Sequence, residues 1–369
     1  KSCCHLPGLL QLISIKQEFH GMEERGLKIF APEGEPKMDD KVFFNEEMLE
    51  NRDLSLIAAE TFFEKIDIED PNIGDPLTGT GIRGLRYAEL GDIYLNDANP
   101  NAIEAVEKAL KENNVEASVE NKDANVFLSG KPGFFHFIDV DPYGPFTPFL
   151  DSTARAANYN SFVGLTATDN SAPTGSYPTV CERRYGSKPL KNGFMHETAL
   201  RIYIKEAFEN FARYDKCFEP KFCYQFKHYT RVMGRVTESK SRTNKALENI
   251  GYLSYCDNCG WRKLERVQEC QHCGGEVEHA GPLWTGKISD SRFTEKMLEK
   301  IPDEWEASKD ILEKVHGEAE IVTPFYDLHE LASRHDVSVP KRDKVIEALR
   351  EKGYPVSRTH FGPTGIRTD

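Results

Sequence analysis

Residues 75–86 read DPLTGTGIRGLR, a glycine-rich turn of the kind that opens a ligand-binding α/β sheet. Its glycines Gly79, Gly81 and Gly84 let the backbone turn tightly and pass close to a ligand, and the helix that follows aims its positive end at the same place. A strand, such a turn, a helix and then an acid open a nucleotide-binding α/β sheet, in which the acid meets ribose hydroxyls. Asp97, in YLNDANP (94–100), lies 22 residues after Asp75 and ends the next strand-like run. Asp123, in DAN (123–125), ends the run after that. Any one of these acids also reads as an ordinary strand-end cap. Three at successive strand ends read together as a binding edge. The turn alone accepts either a dinucleotide or S-adenosylmethionine, since both carry a ribose.

Outward from the turn, the elements alternate. LSLIAAETFFEK (54–65) reads as a helix before it; a strand at 93–96 and an amphipathic helix over 100–113 come after. FFHFIDVD (134–141) is apolar enough for a buried central strand, and SFVGLTATD (161–169) for another. A helix is expected over 196–214, then two closing strands in KFCYQF (221–226) and HYTRVMGRV (228–236). DPNIG (70–74), just before Asp75, makes a poor strand. The alternation predicts an α/β fold, a doubly wound, Rossmann-like sheet with helices on both faces.

Beyond about residue 238 the texture changes to a polar linker, cysteine pairs and a charged helical stretch (290–316). YDLHELASRH (326–335) and KRDKVIEALREKG (341–353) read as two helices and YPVSRTHFGPTGIRT (354–368) as a hairpin, the order of a winged helix. The chain does not begin with Met, whereas Met22 opens a plausible start. The expected division is therefore a tail or upstream extension over 1–21, an α/β domain over 22–238 and a mixed α+β domain over 239–369.

DPYG (141–144) follows directly on the strand FFHFIDV, which puts Asp141 at the carboxyl end of a strand, where open α/β sheets hold ligands. The residue types suit chemistry on an exocyclic base amine, whose lone pair is delocalised into its ring. A carboxylate can accept hydrogen bonds from the amine as positive charge develops, a proline fixes the loop, and an aromatic ring stacks on an extruded base. Asp141, Pro142 and Tyr143 supply these three parts. The plain alternative is an Asp-Pro turn beside a packed tyrosine.

Two CxxC turns, CDNCGW (256–261) and CQHCGG (270–275), each followed by glycine, hold Cys256, Cys259, Cys270 and Cys273. Four thiolates leave zinc no open position, so a structural, zinc-ribbon-like site is expected, with His272 a bystander. Redox use is the weaker reading, since neither pair opens a thioredoxin-like turn. Cysteine usage of this kind suits a reducing cytoplasm. Mean hydropathy of -0.56 and the lack of a long apolar run exclude a membrane span. Net charge of -13 argues against a nucleic-acid partner, but its distribution softens the objection: residues 221–369 carry 24 basic and 24 acidic residues. Within them, residues 221–247 hold seven Lys/Arg, Lys227, Arg231 and Arg235 included, against Glu238 alone. A local basic patch and a solvated charged face are both open readings.

These segments, with VFFNEEMLENRD (42–53), MHETALRI (195–202), GPLWTG (281–286) and RTHFGPTGIRTD (358–369), make the chain resemble the tRNA guanine-26 N2-dimethyltransferase family in its archaeal style, from about residue 41 onward. The resemblance implies a class I methyltransferase domain and transfer of one or two methyl groups from S-adenosylmethionine to N2 of guanosine 26 of tRNA. It further implies that Arg52, Asp75, Arg83, Asp97, Asp123 and Ala124 line the S-adenosylmethionine site with the turn at Gly79 and Gly81. Asp141 would be the key carboxylate, and Phe43 and Tyr143 would sandwich the base. Docking of the tRNA is expected at Lys227, Arg231, Arg235, Arg358 and His360. Tyr143, Pro145 and Phe44 depart from the family's usual Phe, Ser and Tyr. No obligate protein partner is evident. The competing readings are an amino-methyltransferase acting on another RNA or DNA base, and a zinc-ribbon, winged-helix regulator that binds nucleic acid.

Overall fold

The computed structural model describes residues 19–31, 42, 44–66 and 68–369. The fold opens with an antiparallel hairpin, β1 (His20–Glu24) and β2 (Leu27–Ala31). The hairpin reaches two residues into the segment expected to be a tail; residues 1–18 lie outside the described residues. Helix α1 (Leu49–Phe63) follows, buried along most of its length.

Strand and helix then alternate as the sequence predicts: β3 (Asn72–Asp75), α2 (Ile82–Tyr87), β4 (Asp92–Asn96), α3 (Pro100–Asn113), β5 (Ser118–Glu120), α4 (Ala124–Ser129), β6 (Phe135–Val140), α5 (Leu150–Ala156) and β7 (Ala157–Ala167). After α6 (Pro178–Tyr185) and α7 (Met195–Ala212), the long strands β8 (Lys216–Phe226) and β9 (Tyr229–Glu238) close the sheet. The order is β5-β4-β3-β6-β7-β9-β8. Its first five strands run parallel, and β9 is antiparallel to both β7 and β8. The poor strand before Asp75 therefore lies mid-sheet, with ladder partners on both sides.

Local chemistry sets the boundaries. Asn99 caps α3 by accepting from the Asn101 amide, Pro100 occupies its first turn, and Asn114 ends it in the left-handed conformation. Gly84 lets α2 lie directly on the sheet, since a Cβ there would stand 2.2 Å from Leu95. Apolar side chains fill both faces: Phe137 of β6 packs with α1 and α3 residues, and Ile138 and Val140 with α7 residues.

Past β9 come α8 (Lys240–Ala246) and a three-stranded antiparallel sheet of β10 (Ile250–Tyr255), β11 (Arg262–Lys263) and β12 (Glu278–Trp284), ordered β11-β10-β12. Helices α9 (Ser291–Lys300) and α10 (Glu306–Glu318) then return to the first sheet. Phe293, Met297, Ile311 and Leu312 join the same apolar core as α1, and Ser308 Oγ donates to Asp53 at 2.9 Å. A cut at residue 238 would thus split one core. The chain ends with β13 (Tyr326–Asp327), α11 (Leu328–Arg334), α12 (Arg342–Glu351), β14 (Val356–Arg358) and β15 (Gly365–Thr368). Their sheet, ordered β13-β15-β14, encloses a small core of Leu328, Ile346, Val356 and Ile366.

Candidate active site

The chain leaves β3 towards one edge of the sheet and returns at β6 to build the other, which opens a crevice at the carboxyl ends of these two neighbours. The glycine turn follows β3 and DPYG follows β6. Between them lies a cleft of about 1010 Å³ whose walls include Arg52, Gly79, Arg83, Asp97, Asp141 and Tyr143.

Asp97 accepts from the backbone N–H of Gly79 at 3.0 Å and of Asn99 at 2.8 Å, so the glycine turn and the carboxylate hold each other in place. Burial pushes its carboxyl up, against the pull of those amides. Across the cleft, Arg83 donates to Asp141 Oδ2 from Nε at 2.8 Å and from Nη2 at 2.5 Å. Asp141 Oδ1 has no such partner among the described residues. The loop is pinned to the end of β7: the Gly144 amide donates to Thr168 Oγ1 at 2.8 Å, and the Thr168 amide to the Gly144 carbonyl at 3.0 Å. Tyr143 stands out into solvent, 67% exposed, on the cleft wall.

Beneath this rim is a hub that the motifs did not announce. Asp139, fully buried, accepts from Tyr87 Oη at 2.5 Å and pairs with Arg83 at 3.2 Å and Arg231 at 2.7 Å. Burial would raise its carboxyl, but the two guanidiniums outweigh burial and hold it below the usual carboxylate range. Arg83 is fixed further by Asn51 Oδ1 at 3.0 Å. A signal was available: residues i and i+2 of a strand share a face, so an acid at 139 accompanies Asp141 and, being buried, requires cationic partners.

The other residues that the resemblance implies fall less uniformly. Arg52 lines the cleft but is gripped by Glu24, with Nε 2.8 Å from Oε1, and lies 5.1 Å over the Phe44 ring. Asp75 lies under the turn and not on the cleft wall, its carboxyl pushed up to about 7 by burial and by Asp139. Asp123 caps α4 through the Asn125 amide, with Ala124 buried behind it, and neither reaches the wall of the cleft. Their loop is tied to the cleft, because Asn121 donates to the Asp97 carbonyl at 2.7 Å. Phe43 lies outside the described residues; Val42 and Phe44 beside it line the cleft.

The four cysteines converge. The Sγ atoms of Cys256 and Cys273 are 3.6 Å apart, as are those of Cys259 and Cys270, and all four lie within 4.8 Å of one another. Tetrahedral zinc with bonds of about 2.3 Å separates its sulfurs by roughly 3.8 Å, so the donor set fits. Each CxxC closes through a glycine amide, Gly260 to the Cys256 carbonyl and Gly274 to the Cys270 carbonyl, both at 2.9 Å.

The expected RNA contacts need correction. Arg231 is fully buried in β9, paired with Asp139 and donating to Thr166 Oγ1 at 2.9 Å, so no phosphate can reach it. The His360 side chain is 2% exposed and bonded through Nδ1 to Glu318. It ends a buried chain of ion pairs that runs from Glu318 through Arg367 and Glu197 to Arg201 on α7. The segment RTHFGPTGIRTD is thus a clasp between the two ends of the fold. Arg235 is half-buried against Asn160 Oδ1. Lys227 and Arg358 are exposed but paired, with Glu50 at 3.3 Å and Asp343 at 2.8 Å. The basic run 221–247 is largely neutralised in this way.

The sequence profile of the N2,N2-dimethylguanosine tRNA methyltransferase family matches residues 28–369. The tRNA (guanine(26)-N(2))-dimethyltransferase of Methanothermobacter thermautotrophicus is 38% identical over 89% of this chain and 90% of its own length. The tRNA (guanine(26)-N(2)/guanine(27)-N(2))-dimethyltransferase of Aquifex aeolicus is 34% identical over 94% of this chain and 92% of its own. Among solved structures, Trm1 from Pyrococcus horikoshii in complex with S-adenosyl-L-methionine superposes with a TM-score of 0.83 at 29% identity, covering 95% of this chain and 96% of that one. The chain belongs to the N2,N2-dimethylguanosine tRNA methyltransferase family.

Proposed function

We propose that the protein transfers one or two methyl groups from S-adenosylmethionine to the exocyclic N2 of guanosine 26 in tRNA. The observation that carries this reading is the carboxylate of Asp141 in the switch-point cleft, with one oxygen fixed by Arg83 and the other without a hydrogen-bond partner among the described residues, beside the exposed ring of Tyr143. S-adenosylmethionine, when bound, supplies an electrophilic methyl group on a sulfonium. Asp97 would take its ribose hydroxyls, with the Gly79 to Gly81 turn beneath and Arg52 and Arg83 on the wall, while Asp75, Asp123 and Ala124 would back the site from behind the wall. Pro142 stiffens the loop, and Tyr143 and Phe43 would stack on the two faces of the flipped guanine.

The amine N–H donates to Asp141 Oδ1, which turns the nitrogen lone pair out of the ring system and towards the methyl. As the N–C bond forms and the S–C bond breaks, nitrogen becomes cationic and its proton passes to the carboxylate. Lys227 and Arg358 would exchange their carboxylate partners for phosphates on docking, half-buried Arg235 offers less, and the order of the last elements, helix, strand, two helices and a hairpin, supports a winged-helix-like docking unit. Cytoplasmic tRNA is the substrate pool this reading requires; among the described residues no helix is long and apolar enough to cross a membrane. Asp141→Ala tests the proposal: cofactor affinity by calorimetry stays within a few-fold, while methyl transfer falls by about 10² to 10⁴. Near-normal turnover in that variant overturns it.

A further inference from the structure

With Arg231 buried in β9, the segment between β7 and α7 offers RNA another set of cations. Residues 171–193 hold Arg183, Arg184, Lys188 and Lys191 against Glu182 alone, in a protein of net charge -13. All four cations are exposed. Arg184 stands on the wall of the catalytic cleft, tied on one side to Asp169, with its side chain 45% exposed. Arg183, Lys188 and Lys191 make no ion pair within 4.0 Å among the described residues. Other exposed cations beside the sheet, such as Lys227, Lys240 and Arg242, are paired with carboxylates.

The ridge is rigid where it needs to be. Buried Lys205 donates to the Tyr185 carbonyl at 2.5 Å, and Ser187 Oγ to the Pro282 carbonyl at 2.7 Å. Lys188 and Gly281 exchange both backbone hydrogen bonds, at 2.9 and 2.8 Å, so the ridge is stitched to β12 of the cysteine-bearing sheet. Beyond that seam, Lys188 shares a groove of about 470 Å³ with Arg266, whose guanidinium lies 4.9 Å over the Tyr252 ring. Glu278 and His279 also line this groove. Tyr177, at the start of α6, is 61% exposed and offers a stacking face.

Building on the function proposed above, we infer that Arg183, Arg184, Lys188 and Arg266 form a phosphate track that leads the tRNA backbone from the catalytic cleft onto the cysteine-bearing sheet. A row of exposed cations along an anchored edge, running from the catalytic cleft to the groove of Lys188 and Arg266, suits a polyanion. Phosphate contacts of this kind set register without reading sequence. The cysteine site acts on the substrate through this seam, by holding β12 against the ridge.

The test uses the full chain, zinc-loaded, with an unmodified tRNA transcript. Lys188→Ala with Arg266→Ala should lower the salt slope of tRNA binding by about 1.5, the loss of two phosphate contacts. Calorimetric affinity for S-adenosylmethionine, zinc content and melting temperature should stay as in the parent. A second pair, Lys188→Gln with Arg266→Gln, keeps the aliphatic stems and decides the matter should the Ala pair fold poorly. Lys341→Ala with Lys344→Ala, on and before α12, serves as the comparator. A slope that falls in the Gln pair supports the track; a slope unchanged there, or one that falls only in the comparator, overturns it. Failure of the catalytic reading looks different: the parent would bind the transcript and leave its guanosines unmethylated.

Discussion

Arg231→Met removes a cation that the sequence offered to RNA and the fold spends on Asp139. In the parent, Asp139 is flanked by two guanidiniums and the Tyr87 hydroxyl, all buried. Breaking a buried ion pair typically costs about 3–5 kcal/mol, because the surviving charge stays desolvated. Here Arg83 at 3.2 Å still faces Asp139, which puts the expected loss near the lower end, about 3 kcal/mol. Since the Asp139 carboxyl is held below the usual range, its ion pairs stabilise the protein above the unfolded-chain pKa of about 4 and cease to do so as pH falls through the lower folded value. The deficit of the variant is therefore largest at neutral pH and narrows on acidification. Urea unfolding at pH 7 and at successive steps below about pH 4, together with tRNA binding across a salt series, reads both quantities. A stability loss under about 1 kcal/mol with a flattened salt slope would mean that Arg231 does meet phosphate, and the assignment of β9 as buried framework would fail.

Asp97→Ala should weaken S-adenosylmethionine binding at least tenfold by calorimetry while leaving zinc content unchanged; equal affinity would make Asp97 a strand-end cap and nothing more. Cys256→Ser with Cys259→Ser should abolish stoichiometric zinc by elemental analysis and weaken tRNA binding, with cofactor affinity within a few-fold of the parent. Asp75 titrates in the opposite sense to Asp139: its folded pKa of about 7 lies above the unfolded value, so the folded state is penalised progressively as pH rises from about 4 to 7. Asp75→Asn lifts that penalty, and its stability relative to the parent should rise between pH 5 and pH 8 by about 2–3 kcal/mol; a pH-independent difference contradicts the shift.

What could be read from the sequence depended on whether the signal was local. The glycine turn, the α3 pattern with its Asn99 and Pro100 start, and the apolar run of β6 each carry their own instructions, and each forms where expected. β3 has one strongly apolar residue, Ile73, and forms because β4 and β6 complete its ladder from either side. Arg231, within the basic run 221–247, is not legible locally for the converse reason. Charge alone does not say which residues of a strand face the core, and the partner of Arg231 lies some ninety residues upstream on β6, across the intervening β7, where only the sheet order brings it within reach. His360 and Glu318 are likewise legible only as a pair. Nothing in the amphipathic pattern of α9 and α10 specifies which core they join; their packing on α1 follows from the path of the chain after β12.

Whether Asp141 and its loop direct methylation to one guanine amine of tRNA is read by nucleoside mass spectrometry of an unmodified tRNA transcript incubated with the protein and S-adenosylmethionine, beside a transcript with adenosine in place of guanosine 26. The expected result is N2-methylated guanosine in the first, mapped to position 26 after nuclease digestion, and none in the second or with Asp141→Ala. Methylation that persists in the adenosine-26 transcript at another base, or methylated adenosine in either one, would contradict it.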